Sequence, residues 1–164
     1  MADSIDAFEF IARKAYKFTA RSSSDVASLH PFEHHNIHEN LPLNVRRLFD
    51  NGHYSEATFE AFKYIDKEVA RLSSKSETGF NLMMAAFNEN NPLIKLNKMS
   101  SMSEKDEQLG FKHLFAGGVA GIRNPRGHEY SVRDDMETCI SHLSFGSMLL
   151  RKLEEAGHQL SKNV

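Results

Sequence analysis

The segment Gly121-Ile122-Arg123-Asn124-Pro125-Arg126-Gly127-His128 sets a permanent cation, an amide and a titratable imidazole within a few residues of one another. These groups suit chemistry on a phosphodiester. Arginine offers a planar fork of donors to phosphate oxygens, and histidine gives or takes a proton near neutral pH. The spacing alone is weakly specific in a chain with 9 histidines, since Arg46 and Arg47 stand at similar distances before His53, and Arg151 before His158. Context singles out Arg123. It is followed by Asn-Pro, comes just after a glycine-rich apolar run and precedes a long amphipathic segment, which pins the motif in a helix-to-helix connection. A plainer reading stays open, in which Asn124-Pro125 and Gly127 supply turn chemistry while Arg123 and His128 cap neighbouring helices.

Two further groups of residues carry chemistry on paper. His30, His34, His35 and His38, with Glu33 and Glu39, lie close enough in sequence to share a metal ion. The competing reading is a solvated, His-rich loop, because composition by itself is weak evidence, and no metal or other cofactor is assigned. His53 is a secondary candidate, with helix capping as its alternative role. His113 and His142 fall within helical patterns and are read the same way. The single cysteine, Cys139, sits at an apolar helical position and is read as core packing rather than as a nucleophile.

A chain of 164 residues is long enough for one domain with a true core. Hydrophobic residues make up 40% and charged residues 26%, with a formal net charge of −2, so the composition is that of a globular protein and any basic surface for nucleic acid has to be local. Charges interrupt every apolar stretch well before membrane-spanning length, and the N-terminus lacks a basic region followed by a long apolar core. A cytoplasmic protein without a membrane partner is therefore expected. The lone cysteine fits that reducing setting.

The elements that must position the motif are helical. Ser4 begins a first amphipathic pattern through Ile5, Phe8, Ile11, Ala15 and Phe18. Residues 21–42 lose periodicity, so the chain divides into an N-terminal helix plus His-rich arm over 1–43 and a helical domain over 44–164. A short helix carries Val45, Leu48 and Phe49. The next bears a stripe of Ala57, Ala61, Ile65, Val69 and Leu72 beside Phe62, and another carries Phe80, Met83, Met84 and Phe87 before Asn91-Pro92 stops it. Ser103 and Asp106 have capping-box spacing ahead of Leu109, Phe111, Leu114, Phe115, Val119 and Ile122. Gly110, Gly117, Gly118 and Gly121 each weaken that helix by up to ~1 kcal/mol relative to alanine. Either the close approach of another backbone or a frayed helix end accounts for them. The last helix is expected to start near Ser131 and to run about 26 residues, or ~39 Å. Strand-like alternation is absent, so the expected fold is an all-α, antiparallel helical bundle with short loops and a long C-terminal helix.

Several separated motifs, in order and at consistent spacing over roughly residues 44–156, carry a resemblance. They are Phe49-Asp50-Asn51-Gly52-His53-Tyr54 with Glu56-Ala57 and Ala61-Phe62-Lys63, Gly79-Phe80-Asn81-Leu82-Met83, Gly110-Phe111 with Leu114-Phe115, and Gly121-Ile122-Arg123-Asn124-Pro125 with His128. Together they resemble the Ymh family of small bacterial proteins, which in turn looks like a branch of the HEPN superfamily. Gly127 departs from the alanine expected before the histidine, a change between two small residues. The resemblance implies a HEPN-like helical bundle in which Arg123, Asn124 and His128 form a composite site across a homodimer. It further implies metal-independent RNA cleavage through 2′-hydroxyl attack, in a toxin or antiphage defence setting with a possible cognate inhibitor or defence partner. Arg126 and Lys112 are candidates for holding the RNA backbone. The alternative is a non-catalytic helical module that binds RNA, a nucleotide or a protein through the same loop.

Overall fold

The structure is a computed structural model that describes residues 29–129 and 131–162. The helix expected from Ser4 onward lies outside the described residues. Among the described residues there is no strand, and the fold is an all-α bundle, as the periodicity predicts. Its elements are α1 (Pro31–His34), α2 (Leu43–Asp50), α3 (Tyr54–Ser73), α4 (Gly79–Ala86), α5 (Met102–Gly117), a π-helical segment (Gly118–Arg123), α6 (Asn124–His128) and α7 (Met136–Glu155). No helix among them is long and apolar enough to cross a membrane.

Helix α3 is the axis of the bundle and packs against α2, α4, α6, α7 and the π-helical segment. Its predicted stripe is realised, with Ala57, Ala61, Phe62, Ile65 and Val69 all buried. Burying such side chains contributes about 1.5–3 kcal/mol each for the larger ones, which outweighs the modest helix propensity of Val and Ile. The long connection after α4 is held by one buried amide. Gln108 of α5 accepts from the Leu96 N–H at 2.9 Å and donates to the carbonyls of Ile94 and Phe87 at 2.9 and 3.2 Å. That arrangement satisfies backbone groups that would otherwise be stranded in the core. At the other end, residues beyond α7 strap back along α3. Tyr64 donates to the Ser161 carbonyl at 2.9 Å, Arg71 to that of Gln159 at 2.6 Å, and the Ser161 N–H reaches Glu68 at 2.9 Å.

The helix ends differ from expectation in ways that side-chain reach explains. The capping box of α5 is Ser101 with Glu104, not Ser103 with Asp106. Glutamate has the extra methylene needed to reach back to the Ser100 and Ser101 N–H groups, at 2.6 and 3.1 Å. Helix α7 begins at Met136 rather than near Ser131, because Asp135 takes the Thr138 N–H at 2.8 Å while Asp134 turns away to other partners. It spans 20 residues, the same as α3, or about 30 Å.

The chain divides into two units at the His35–Asn36 junction. In the first, His30 caps α1 by accepting from the Phe32 N–H at 3.1 Å, and the His34 and His35 rings meet edge to face. In the second, His38 is buried. Its own N–H donates to Ser147 at 2.9 Å, its Nδ1 accepts from the Asn40 N–H at 3.1 Å, and Nε2 therefore carries the proton donated to Glu154 at 3.0 Å. The arm histidines thus have separate partners, and among the described residues no three His, Cys, Asp or Glu side chains gather as a metal-holding group.

The glycine-rich run is neither a frayed end nor a loop. It is a wide π turn that continues α5 into α6, with the Asn124 N–H reaching the Val119 carbonyl five residues back. Of its glycines, Gly118 alone answers to close packing within the chain, since a Cβ there would stand 3.0 Å from both Phe62 and Phe145. Gly110, Gly117 and Gly121 face open space. Gly117→Ala is therefore expected to stabilise the fold by up to ~1 kcal/mol through helix propensity. Gly118→Ala, by overpacking two phenylalanines, is expected to destabilise it by ~1–2 kcal/mol. Urea unfolding of the two variants checks the opposite signs.

Candidate functional site

Asn124 has φ −63° and ψ −43°, fully helical, although the residue before a proline usually adopts an extended conformation. The Arg123–His128 stretch is therefore helical, where the sequence suggested a turn. On a helix the side chains four residues apart share a face. Arg123 falls with Gly127, toward α3, while Asn124 falls with the exposed His128. Arg123 and His128, five residues apart, diverge by roughly 140° around the axis. The structure thus holds the three sequence-predicted residues on one continuous helical stretch, Arg123 ending the π-helical segment and Asn124 opening α6, but on two of its sides. Asn124 accepts from the Arg123 Nη1 at 3.3 Å.

Two residues of α3, Phe59 and Asp66, neither singled out by the motif, form the seat of Arg123. Its guanidinium carbon lies 5.7 Å from the centroid of Phe59, and its Nη2 lies 3.9 Å from the Asp66 carboxylate. Lys63 approaches the same Phe59 ring at 5.8 Å and pairs with Glu60 at 2.9 Å. The 59, 63, 66 spacing of one helical face was the available signal, but Phe62 and Ile65 between them advertise only a core helix. Gly127 matters more than a swap of small residues implies, because a Cβ there would stand 2.8 Å from the Phe59 ring. The missing methyl lets that ring sit beneath α6.

Arg126 contrasts with Arg123. Its side chain is 8% exposed and fully engaged, with Nε donating to Asp134 at 2.7 Å, Nη2 bonding the other Asp134 oxygen, and Nη1 donating to the Ile122 carbonyl at 2.7 Å. Asp134 is also fixed through its backbone, whose N–H donates to Ser55 at 2.7 Å. Lys112, the other candidate for holding RNA, is similarly buried and pairs with Glu89 at 2.5 Å. Both cations were expected to face a polyanion. Instead, each is paired within the fold: Arg126 neutralises the buried Asp134, and Lys112, itself buried, is matched by the more exposed Glu89.

His53 occupies the N-cap position of α3 but makes no side-chain capping bond, and it is exposed. His113 is exposed on α5. Cys139 is buried, and burial pushes its thiol up to about 11, which removes it as a nucleophile. His142 lies beneath α6 with its Nδ1 buried, 3.7 Å from Asp134 and without a hydrogen bond among the described residues.

Two groups around Arg126 give the fold a pH dependence with opposite origins. Burial, helped by the Arg126 charge, holds His142 below its ordinary 6.5. The unfolded chain then takes up that proton first, so the contribution of neutral His142 is complete above about pH 6.5 and is lost as pH falls toward the depressed folded value. For Asp134, burial works to raise the carboxyl, but the Arg126 hydrogen bond helps to outweigh it and the group ends below its ordinary 3.8. Its contribution is present above that value and is lost only as pH falls through the folded one. His142→Gln is expected to remove a slope of at most about 1.4 kcal/mol per pH unit just below pH 6.5, leaving the more acidic transition in place. Urea midpoints measured at half-unit steps between about pH 4.5 and 7 check this.

Comparison with known proteins agrees with the motif order. No curated protein and no solved structure matches the chain. A family model described as "Protein of unknown function (Hypoth_ymh)" matches residues 35–153, a span that holds every helix from α2 to the last turn of α7 and all of the Arg123 site. The chain belongs to the Hypoth_ymh family.

Proposed function

We propose that the protein is a HEPN-type, metal-independent endoribonuclease acting in a toxin or antiphage defence setting in the cytoplasm. The observation that carries this reading is the unspent Arg123. It is anchored by Phe59 and Asp66, yet its buried Nε bears no hydrogen bond among the described residues, its bond to Asn124 is long, and its side chain is 23% exposed. A guanidinium that is held without being saturated suits a developing phosphorane charge. In the reaction the RNA 2′-hydroxyl loses its proton and attacks the adjacent phosphorus, the bond to the 5′ oxygen breaks, and that oxygen takes a proton. The products are a cyclic phosphate and a 5′-hydroxyl. His128 moves a proton at one of these oxygens, Arg123 stabilises the non-bridging oxygens, and Asn124 orients the arginine. Lys63, beside Phe59 and more exposed than Arg126 and Lys112, joins them as a candidate for holding the RNA backbone.

A second copy of the chain completes the site on this reading, because one His128 cannot serve both the attacking and the leaving oxygen. Gly110, Leu114, Gly117 and Gly121 are exposed along the helix that leads to Arg123, and the three glycines leave room for close backbone approach. A homodimer at micromolar concentration is expected by light scattering, and a strict monomer argues against the composite site. A cognate inhibitor or defence partner would hold such an enzyme in check. The divergence of Arg123 and His128 around α6 favours one rival, a binding module that grips RNA, a nucleotide or a protein without cutting.

Labelled RNA incubated with EDTA separates the two. His128→Ala is expected to lower turnover by ~10²-fold or more, the usual scale for a general acid or base. Arg123→Ala should do comparable damage and Arg123→Lys recover little of it, since a point charge does not replace the fork. His53→Ala and His158→Ala should cut as the parent does. A parent that binds RNA but never cuts it hands the site to the binding module.

A further inference from the structure

Two arginine–aspartate pairs flank α6, and their geometries differ. Asp134 meets Arg126 through two hydrogen bonds, one to each carboxylate oxygen, and so consumes the donors it faces. Asp66 stands 3.9 Å from the Arg123 Nη2, inside the range of strong attraction but beyond that of a hydrogen bond. We infer that Asp66 is the positioning residue for Arg123, holding the guanidinium in place while leaving its donors free for a phosphodiester oxyanion.

Asp66 is suited to this by its surroundings. Its side chain is 3% exposed, so the charge acts through protein rather than water. Its other oxygen accepts from the Gly79 N–H at 2.8 Å. Gly79 is the first residue of α4 and has φ +77°, a conformation that side-chain-bearing residues rarely adopt, which explains a glycine in the recognised Gly79-Phe80 motif. That bond ties the carboxylate to the start of α4 on the side away from the oxygen nearest Arg123. Phe59 supports the guanidinium from another side, and Gly127 supplies the space for that ring. The pair at α6 that is closed locks the backbone, and the pair that is open aims a side chain.

The inference rests on the ribonuclease reading for its purpose but not for its test, which observes the guanidinium directly. In 15N spectra of the protein, the Arg123 Nε–H signal reports the surroundings of the guanidinium, with Arg126 as internal control and Arg123→Lys as assignment. Asp66→Asn keeps an oxygen for the Gly79 N–H and removes the charge. It is expected to shift the Arg123 signal while that of Arg126 stays in place. The same coupling is read from the other side in Arg123→Ala, where the Gly79 amide resonance should shift; that variant keeps Asp66 in place should Asp66→Asn not fold. An unchanged Arg123 signal in Asp66→Asn, or an unmoved Gly79 amide in Arg123→Ala, overturns the assignment. A 2′-O-methyl RNA oligonucleotide, which lacks the attacking hydroxyl, then tests the purpose by fluorescence anisotropy, with Asp66→Asn expected to weaken binding about tenfold. A parent that ignores the oligonucleotide yet shows the coupled spectra removes the RNA reading and supports the positioning role.

Discussion

Pro125 cannot donate to a helical ladder, and in a regular α-helix its ring would press on the carbonyl of Gly121 four residues back. The chain stays helical through it because residues 118–123 step into π register, which widens the turn ahead of the proline. That single change of register sets the geometry of the whole site. It lets Gly118 settle against Phe62 and Phe145, turns Arg123 and Gly127 toward Phe59, and leaves Asn124 and His128 on the outer side. Single-turn π segments occur often at functional sites, since they aim a side chain that a straight helix would send elsewhere. Here the cost of the irregular ladder is offset by Arg126, whose side chain supplies a donor to the Ile122 carbonyl inside the wide turn.

The two arginines of the motif divide the labour that the sequence leaves undivided. A buried bidentate pair such as Arg126 with Asp134 adds little net stability over a well-packed apolar pair, but losing one partner strands a charge and is strongly destabilising. Such a pair is useful as a fixed point. It ties α6 to the segment before α7, and through Ser55 to the start of α3. Arg123, looser and more exposed, works against that fixed frame.

Most of the fold was legible in the sequence because apolar period is a local property. The stripe from Ala57 to Val69 is buried as its spacing implies. Helix ends were less legible, since Ser101 against Ser103, or Asp135 against Ser131, is decided by which side chain reaches which N–H. The site was legible only as a list. Sequence placed Arg123, Asn124 and His128 together, but could not show that α6 is helical and separates Arg123 from His128 around its axis. Nor could it tell that Arg126 and Lys112 have carboxylate partners 8 and 23 positions away. Asp66 and Phe59 lay hidden for a related reason: on α3 they look like surface punctuation between core positions, and their role exists only once α6 crosses them.

The strap that continues from α7 belongs to the same folding unit as α3. The family match stops at residue 153, yet Leu160 is 9% exposed and Ser161 donates to a nearly buried Glu68. A boundary drawn by similarity would strip an acceptor from its donor and uncover an apolar edge of α3 alongside Tyr64. The cohesive unit is therefore longer than the recognisable one, and its stability has to be measured on a chain that keeps the segment after α7.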